Sequence, residues 1–421
     1  MAGGGSSPTH PPPAKRLRPP LGASGWLPRA DIHGREFPAH RHPGARRAGL
    51  PYDLLLAIFL HLPSLATLVR AALTCRLWRR AVASTPAFRR RFRALKPPPL
   101  LGLFFQNDSA DQGLNIHGQP AFVPARRRRD RDLTAAVRGG DFFLTSLHDL
   151  FEESLSWYIV DCCHGCVLLM YGDLASFVVF NPLTRRCEDA FDIWPEDAFN
   201  DYRGYCRQLD ARLVVSREDP TSSRVVILSH DKSRVPTVYS SDTWEWSVLP
   251  WVDVPATSSD YDNRWIQTDG GKQANGFLYW AYQDRRSCMF DVGETKDGVT
   301  CIVYPDKFNI GVIVLRRGDD GVERWVLDRV VPLHTQLEVL EGDFTDSSDL
   351  CVLAVRDGYA YLAVFYHDTK VSSWYLSLCL ETMKLERLFR KTFCSDVHPC
   401  IMSWPSSLVG NYGRFALENA P

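Results

Sequence analysis

The chain has 421 residues, of which 45% are apolar, a typical share for a globular protein. Its formal net charge is zero, and no uninterrupted apolar run approaches the roughly 20 residues that a membrane-spanning helix needs. The N-terminus is rich in Gly, Ser, Pro and basic residues, so it does not resemble a secretory signal. With 12 scattered cysteines, we expect a protein of the nucleus or cytoplasm whose thiols are reduced.

Residues 1–48 are expected to form a disordered basic tail. The first 49 residues contain 9 Pro and 8 Gly, so they cannot bury enough apolar surface to offset the loss of chain entropy. Within them, residues 13–19 read Pro-Ala-Lys-Arg-Leu-Arg-Pro, which indicates either a nuclear localisation signal or a solvated basic tail. No aromatic or groove-reading element accompanies the basic runs, so nucleic acid is not an expected partner.

Residues 49–95 are predicted to form a small all-α domain of three short helices. From Leu54 onward, apolar residues recur every three or four positions, and Pro63 ends this first helix. Ser64 is placed to cap the second helix, and Pro86 limits the third. The segment holds more leucine than so short a chain can bury, so a partner is expected to complete its core.

The order of residues in this segment is informative. Leu-Pro is followed by an acidic residue and two leucines, then by Ile-x-x-x-Leu-Pro, and later by Cys-Arg-x-Trp-Arg and Pro-x-Phe. This order closely resembles the F-box family. One position departs from it, because Ala66 stands where many F-boxes carry an acidic residue that favours the start of the second helix.

The resemblance implies a set of partners. In the F-box family the three helices dock on a Skp-type adaptor, which links them to a cullin scaffold and a RING subunit of a ubiquitin ligase. Matching positions imply that the adaptor-facing residues are Leu50, Pro51, Leu54, Ile58, Leu62, Val69, Cys75 and Trp78.

Residues 96–421 are predicted to form a large all-β domain. Beyond three consecutive prolines at 97–99, short runs of Val, Tyr, Trp and Phe alternate with Gly, Asp, Asn and Pro, which is typical of antiparallel strands and turns. The predicted strands include residues 166–171, 177–180, 213–215, 225–228, 277–282, 312–315, 325–327, 359–366 and 374–380.

Internal repeats favour a β-propeller of six or seven blades. A turn glycine precedes a strand at Gly165, Gly276 and Gly358. A second element, a strand running into a turn threonine, ends at residues 184, 243, 295 and 382, and these separations suit blades of about 45 to 55 residues. Ringed four-stranded sheets would protect their edges. An irregular pair of β-sandwiches is the alternative.

Two phrases in this region resemble a known family. They are Asn-Pro-Leu-Thr at residues 181–184 and Asn-Gly-Phe-Leu-Tyr-Trp at residues 275–280. Both are similar to the kelch-like associated domains that follow F-boxes in plants, although the double glycine of strict kelch repeats is missing.

Candidate catalytic and metal sites have simpler interpretations. The run from Cys162 to Cys166 lacks the second ligand pair of a zinc site, so buried thiols at a strand start are expected. Asp161, Asp291 and Asp357 occupy comparable strand positions and could line a catalytic channel, but acids at such positions more often cap turns. No catalytic residue, metal or cofactor is assigned.

The sequence therefore predicts the substrate-recognition subunit of a Skp-cullin-F-box ubiquitin ligase. The helices would bind the adaptor, and the β domain would bind an unknown protein substrate, with no catalytic residues in this chain. The alternatives are a non-degradative interaction protein with a vestigial F-box and, less favoured, an enzyme built on a propeller.

Overall fold

A computed structural model of the protein describes most of residues 51–409. The described residues are 51–106, 120–125, 130–148, 157–171, 176–192, 207–215, 223–230, 237–240, 245–248, 271–280, 290–341, 348–366, 372–392, 396–405 and 408–409. The tail predicted to be disordered lies outside these residues. None of the described helices is long and apolar enough to cross a membrane.

A helical domain, residues 52–95, contains four helices. They are α1 (Tyr52–Leu60), α2 (Leu65–Leu73), α3 (Arg76–Ala83) and α4 (Pro86–Leu95). The Ser64 hydroxyl caps α2 as predicted, accepting a hydrogen bond from the Thr67 amide at 3.2 Å. The prediction of three helices was wrong, because Pro86 begins a fourth helix, where its fixed φ and missing N–H are no disadvantage.

The core of the helical domain is completed from within the chain. Trp404 and Leu408, close to the C-terminal end, are buried in the same apolar cluster as the helices. The Trp404 ring lies edge-on to Phe92 at 5.9 Å, the Arg93 guanidinium lies 5.2 Å from the Trp404 ring, and the indole N–H donates to the Leu408 carbonyl at 3.3 Å. The expectation that a partner must supply the missing core was therefore wrong for this part of it.

The rest of the described chain, residues 100–401, is a β region with three further helices. The helices are α5 (Arg131–Gly139), α6 (Thr145–His148) and α7 (His334–Glu341). The strands are β1 (Leu100–Phe105), β2 (Ala121–Pro124), β3 (Trp157–Cys163), β4 (Cys166–Tyr171), β5 (Ser176–Asn181), β6 (Arg186–Asp192), β7 (Arg207–Val215), β8 (Ser223–His230), β9 (Thr237–Ser240), β10 (Glu245–Val248), β11 (Lys272–Ala274), β12 (Phe277–Tyr279), β13 (Asp291–Glu294), β14 (Thr300–Asp306), β15 (Asn309–Arg317), β16 (Glu323–Pro332), β17 (Ser348–Arg356), β18 (Tyr359–Tyr366), β19 (Ser373–Cys379), β20 (Leu385–Lys391) and β21 (Val397–Ile401).

These strands form several antiparallel sheets, as the sequence predicted. Four sheets have four strands each and run in chain order: β3–β6, β7–β10, β13–β16 and β17–β20. Strands β11 and β12 form a pair, and β1 joins β2 on one side to β21 on the other, so the first and last strands of the region share a sheet. Among the described strands, no sheet closes on itself.

The first strands of the sheets, together with the last strand β21, lie next to one another. Contacts link β21 to β3, β3 to β7, β11 to β13, β13 to β17 and β17 to β21. A hydrogen bond from the Gly271 amide to Asp210 at 2.8 Å joins the start of β11 to β7. The innermost strands therefore contact each other in chain order, with β21 meeting both β17 and β3.

The predicted turn glycines lie in three equivalent hairpins. His164-Gly165, Asn275-Gly276 and Asp357-Gly358 each connect the first strand of a sheet to the second, and both residues of each pair have positive φ, as a type I′ turn requires. The second proposed repeat, a strand that ends in a turn threonine, occupies the same position of a sheet in only some of its copies. Thr184 and Thr382 lie between third and fourth strands, whereas Thr295 follows a first strand, and residue 243 lies outside the described residues.

Buried carboxylates join neighbouring first strands. Asp161 on β3 accepts a hydrogen bond from the Leu213 amide on β7 at 2.9 Å. Asp210 on β7 accepts from the Gly271 amide at 2.8 Å and from the indole N–H of Trp280 at 2.7 Å. Both side chains are buried, so these bonds connect sheets through a region that excludes most water.

Asp291 repeats this arrangement on β13. Its carboxylate accepts a hydrogen bond from the Val355 amide on β17 and pairs with Lys272 at 3.2 Å and Arg356 at 3.3 Å. The interpretation of Asp161 and Asp291 as turn caps was therefore wrong. Asp357 does lie in a turn, with a φ of 49°.

We expect Asp291→Ala to lower the free energy of unfolding by about 3–5 kcal/mol, because it leaves two cations and a buried amide without their carboxylate. Asp306→Ala, at an exposed end of β14 in the same sheet, should change it by less than about 0.5 kcal/mol. Urea unfolding of both variants measures the difference. Equal stabilities would show that the carboxylate does not hold the sheets together.

Candidate functional site

The helical domain exposes apolar side chains on one side of α1. Leu54 is 49% exposed and Ile58 is 46% exposed. Leu55 and Phe59, one residue further along in each case, are buried in the helical core. Because side chains four residues apart share a helix face, Leu54 and Ile58 form an apolar pair that the described chain leaves open to solvent.

The structure divides the predicted adaptor-facing residues into two groups. Pro51, Leu54, Ile58 and Cys75 are exposed, as a docking residue should be. The other described residues are half-buried and pack against the helical core: Leu62, Val69 and Trp78. Leu50 lies outside the described residues.

Trp78 illustrates the second group. Its ring lies 5.5 Å from the Phe59 ring in an edge-to-face arrangement, so it supports α1 from α3. Replacing Trp78 would therefore disturb the domain itself as well as any surface that it presents. Cys75 stands at the N-cap position of α3, not within the helix, which leaves its thiol exposed.

Two exposed leucines were missed by the sequence analysis. Leu73 at the end of α2 is 52% exposed and Leu77 on α3 is 60% exposed. Leu77 lies between Cys75 and Trp78 in the sequence, so its position in that motif was an available signal. These two leucines add to the exposed apolar surface formed by Leu54 and Ile58. Such a surface is typical of a domain that binds a partner.

Residues 48–94 match the family model for F-box-like domains. The chain carries an F-box-like domain. The matched segment contains α1, α2, α3 and all but the last residue of α4. F-box domains generally bind Skp-type adaptors, which fits an exposed apolar face on this domain.

Other comparisons add no assignment for the rest of the chain. No curated protein matches it. Among solved structures, a quinoprotein alcohol dehydrogenase-like protein from Bacteroides thetaiotaomicron is 9% identical over 72% of this chain and 78% of its own, with a TM-score of 0.32. Hsv2 from Kluyveromyces marxianus is 11% identical over 54% of this chain and 83% of its own, at 0.22. Oligopeptidase B from Leishmania major is 10% identical over 69% of this chain and 53% of its own, at 0.28. At these values the similarities support no further conclusion.

Positive charge accompanies the F-box-like domain. Helices α3 and α4 contain seven Arg residues between residues 76 and 93 and no acidic residue, among them Arg79, Arg80 and residues 89–91. Arg70 on α2 forms an ion pair with Asp132 on α5, and the hydrogen bond from Arg70 lowers the pKa of that carboxyl. An acidic partner would be attracted to this surface.

The β region has a cavity where its first strands end. Its volume is about 350 Å³, and it opens among the three turns described above. The walls combine apolar and polar side chains, including Val214, Val355, Ile401, Gln273, Arg356 and Glu294. A second cavity of about 250 Å³ lies between α4 and two of these turns, at His164 and Asp357. The linings of the two cavities share His164, Glu294 and Asp357.

The cysteine run that resembled a metal site has structural contacts instead. Cys162 is buried, and both a hydrogen bond with Cys400 and burial raise its pKa. The Cys163 thiol donates to the Gln273 side chain at 3.3 Å. In the part of the chain that the structure describes, no three His, Cys, Asp or Glu residues are grouped as a metal site requires.

Thiol labelling can locate the adaptor surface. Cys75 is the exposed thiol among the described cysteines, while burial raises the pKa of Cys301 to about 12 and that of Cys351 to about 11. We expect maleimide at neutral pH to label Cys75 much faster than these two thiols, and a bound Skp-type adaptor to protect Cys75. Peptide mapping measures the labelling. Unchanged labelling of Cys75 in the complex would exclude it from the interface.

We expect Trp404→Ala to destabilise the F-box-like domain selectively, by about 3–5 kcal/mol, because it removes the ring packed on Phe92. Hydrogen exchange, read separately for α1–α4 and for β13–β16, measures the effect. Trp404→Phe, which keeps an aromatic ring, should cost less. Uniform loss of protection in both regions would contradict a local role for Trp404.

Proposed function

We propose that this chain is the substrate-recognition subunit of a Skp-cullin-F-box ubiquitin ligase. The exposed pair Leu54 and Ile58, on α1 of an F-box-like domain, is the observation that carries the proposal. Both side chains are about half exposed, so burying the remainder against a partner is worth roughly 0.8–1.5 kcal/mol each, enough to make the pair a main contributor to an interface. The Skp-type adaptor would connect this surface to the cullin scaffold and the RING subunit.

The β region would hold the protein substrate. We propose that its sheets are the blades of a six-bladed propeller of the plant-type, kelch-like class associated with F-boxes. Two observations support this arrangement. The first strands β3, β7, β11, β13 and β17 are connected in chain order, and β21 contacts both β17 and β3. In addition, β1 and β21, from opposite ends of the region, share a sheet. The cavity where the first strands end is the natural candidate for substrate contact.

In this role the chain would need no catalytic residue of its own. Holding a substrate and a ubiquitin-transfer enzyme in one complex raises their effective concentration and fixes their orientation. Such complexes would act in the nucleus, the cytoplasm or both.

Two other functions would fit part of this structure. The first is a non-degradative interaction protein, in which the F-box-like domain binds its adaptor weakly because Ala66 replaces an acidic residue at the start of α2. The second is a propeller enzyme. It is disfavoured because Asp161 and Asp291, two of the acids expected to line a catalytic channel, accept hydrogen bonds from the main chain of neighbouring strands.

We expect the double variant Leu54→Ala, Ile58→Ala to weaken adaptor binding at least tenfold, because it removes two side chains that the adaptor would bury. The full-length chain and a purified Skp-type adaptor are used in a pull-down followed by titration calorimetry. Both side chains are about half exposed in the free protein, so the fold should tolerate the change.

The matched control is Val339→Ala. This side chain is 81% exposed and lies on α7, outside the F-box-like domain, so adaptor binding should be unchanged. Retained binding by the Leu54, Ile58 variant would rule out this surface. No binding by the parent chain would favour the interaction protein with a vestigial F-box.

A further inference from the structure

Strand β16 is the outer strand of its sheet. It runs for ten residues from Glu323 to Pro332 and pairs with β15 along its whole length. No described strand pairs with its other edge, so within the described part of the chain one row of its backbone N–H and C=O groups has no strand partner. An open edge of this length is able to accept another strand.

The side chains of β16 make the edge unusually apolar. Trp325 is 41% exposed, Val326 44%, Leu327 56% and Val330 50%. In contrast, the outer strand β20 carries four charged residues among its seven, an arrangement that discourages pairing with other chains. Strand β16 also carries four charged residues, but among ten, so the exposed apolar residues between them are less protected against pairing.

An irregularity in the pairing determines which side chains share a face. Leu327 lies opposite Ile313, but Arg329 lies opposite Val312, so Asp328 is an extra residue in β16. As a result, one face of the sheet carries Trp325, Leu327, Val330 and Pro332, although these residues do not occupy every second position of the strand. Val326, Arg329 and Val331 lie on the other face.

We propose that β16 pairs with β16 of a second copy of this chain, antiparallel and centred between Asp328 and Arg329. In this register Leu327 faces Val330 of the second copy, Val326 faces Val331, and Trp325 faces Pro332. Each apolar residue meets an apolar residue on its own face of the sheet, which is the requirement for a stable cross-strand pair. The symmetry is twofold, so every contact occurs twice.

Charge complementarity selects the same register. Asp328 of each copy faces Arg329 of the other, so two ion pairs flank the twofold axis. Within one chain Asp328 already contacts Arg316 at 2.8 Å and Arg329 at 2.6 Å, and a carboxylate has two oxygens with which to keep one of these bonds. A shift by one residue toward the N-terminus would bring Asp328 opposite Asp328 of the second copy, so that like charges would face each other and this match would be lost.

The pairing would join two four-stranded sheets into one sheet of eight strands. It uses residues outside the F-box-like domain, so it does not depend on the adaptor role. A dimer of this kind would carry two F-box-like domains.

The first test measures the mass of the full chain by light scattering and sedimentation over a wide concentration range. We expect a dimer of the 47.7 kDa chain that dissociates on dilution. Leu327→Lys with Val330→Lys should raise the dissociation constant at least tenfold, because the two new ammonium groups face each other across the strands. Val339→Lys, on the exposed face of α7, is the matched control and should leave the dimer unchanged.

The second test determines the register by cross-linking. Leu327→Cys in one preparation and Val330→Cys in another, with tags of different size, are mixed and oxidised. Opposed Cα atoms lie about 4.5–5.5 Å apart, within disulfide range, so the mixture should form a covalent heterodimer. Leu327→Cys alone should not, because two copies of that position lie about 10 Å apart.

A monomer at all concentrations would overturn the proposal. So would a dimer that the two lysine substitutions leave intact, or a cross-link that forms as readily in the Leu327→Cys preparation alone. Thermal melting of each variant confirms that the chain remains folded during these measurements.

Discussion

Hydrogen bonds between buried carboxylates and the main chain of the next strand organise the β region. Asp161, Asp210 and Asp291 each stand on a first strand and accept an amide hydrogen from a neighbouring one. These strands have no ladder hydrogen bonds with one another, so side chains supply these connections, besides a main-chain hydrogen bond from the Gly358 amide to the Glu294 carbonyl at 2.8 Å. A buried carboxylate is costly unless it is paired, which is why each of these acids has several donors.

The need to bring buried carboxylates next to neighbouring strands also explains the role of the turns. Type I′ hairpins at His164-Gly165, Asn275-Gly276 and Asp357-Gly358 reverse the chain next to the carboxylates and surround the larger cavity. Because the sheets are held together at their first strands, the sequences of their outer strands can differ from one sheet to the next. Strand β20 has four charged residues among seven, whereas β16 is longer and exposes several apolar side chains between its charged residues. The inner part of the region is therefore repetitive, and the outer part can carry individual interactions.

Local features of this fold could be predicted from the sequence. The apolar spacing of α1, the cap at Ser64 and the glycine turns depend on residues close together in the chain. The contacts that were missed join distant segments: Asp161 meets Leu213, and Trp404 meets Phe92. An aspartate near a strand end has the same local pattern whether it caps a turn or bonds another strand. In the candidate site, burial separated exposed Leu54 and Ile58 from half-buried Trp78, which the motif alone could not do.

The pairing of β1 with β21 has a consequence for the order in which the protein is made. Residues 100–105 leave the ribosome early, but their partner, residues 397–401, is synthesised almost three hundred residues later. Trp404 and Leu408 follow even later and complete the core of a domain near the other end of the chain. An interrupted translation product would therefore expose an unpaired strand and an unfilled helical core, both of which promote aggregation. Only a chain translated through Leu408 can bury both the strand and the helical core.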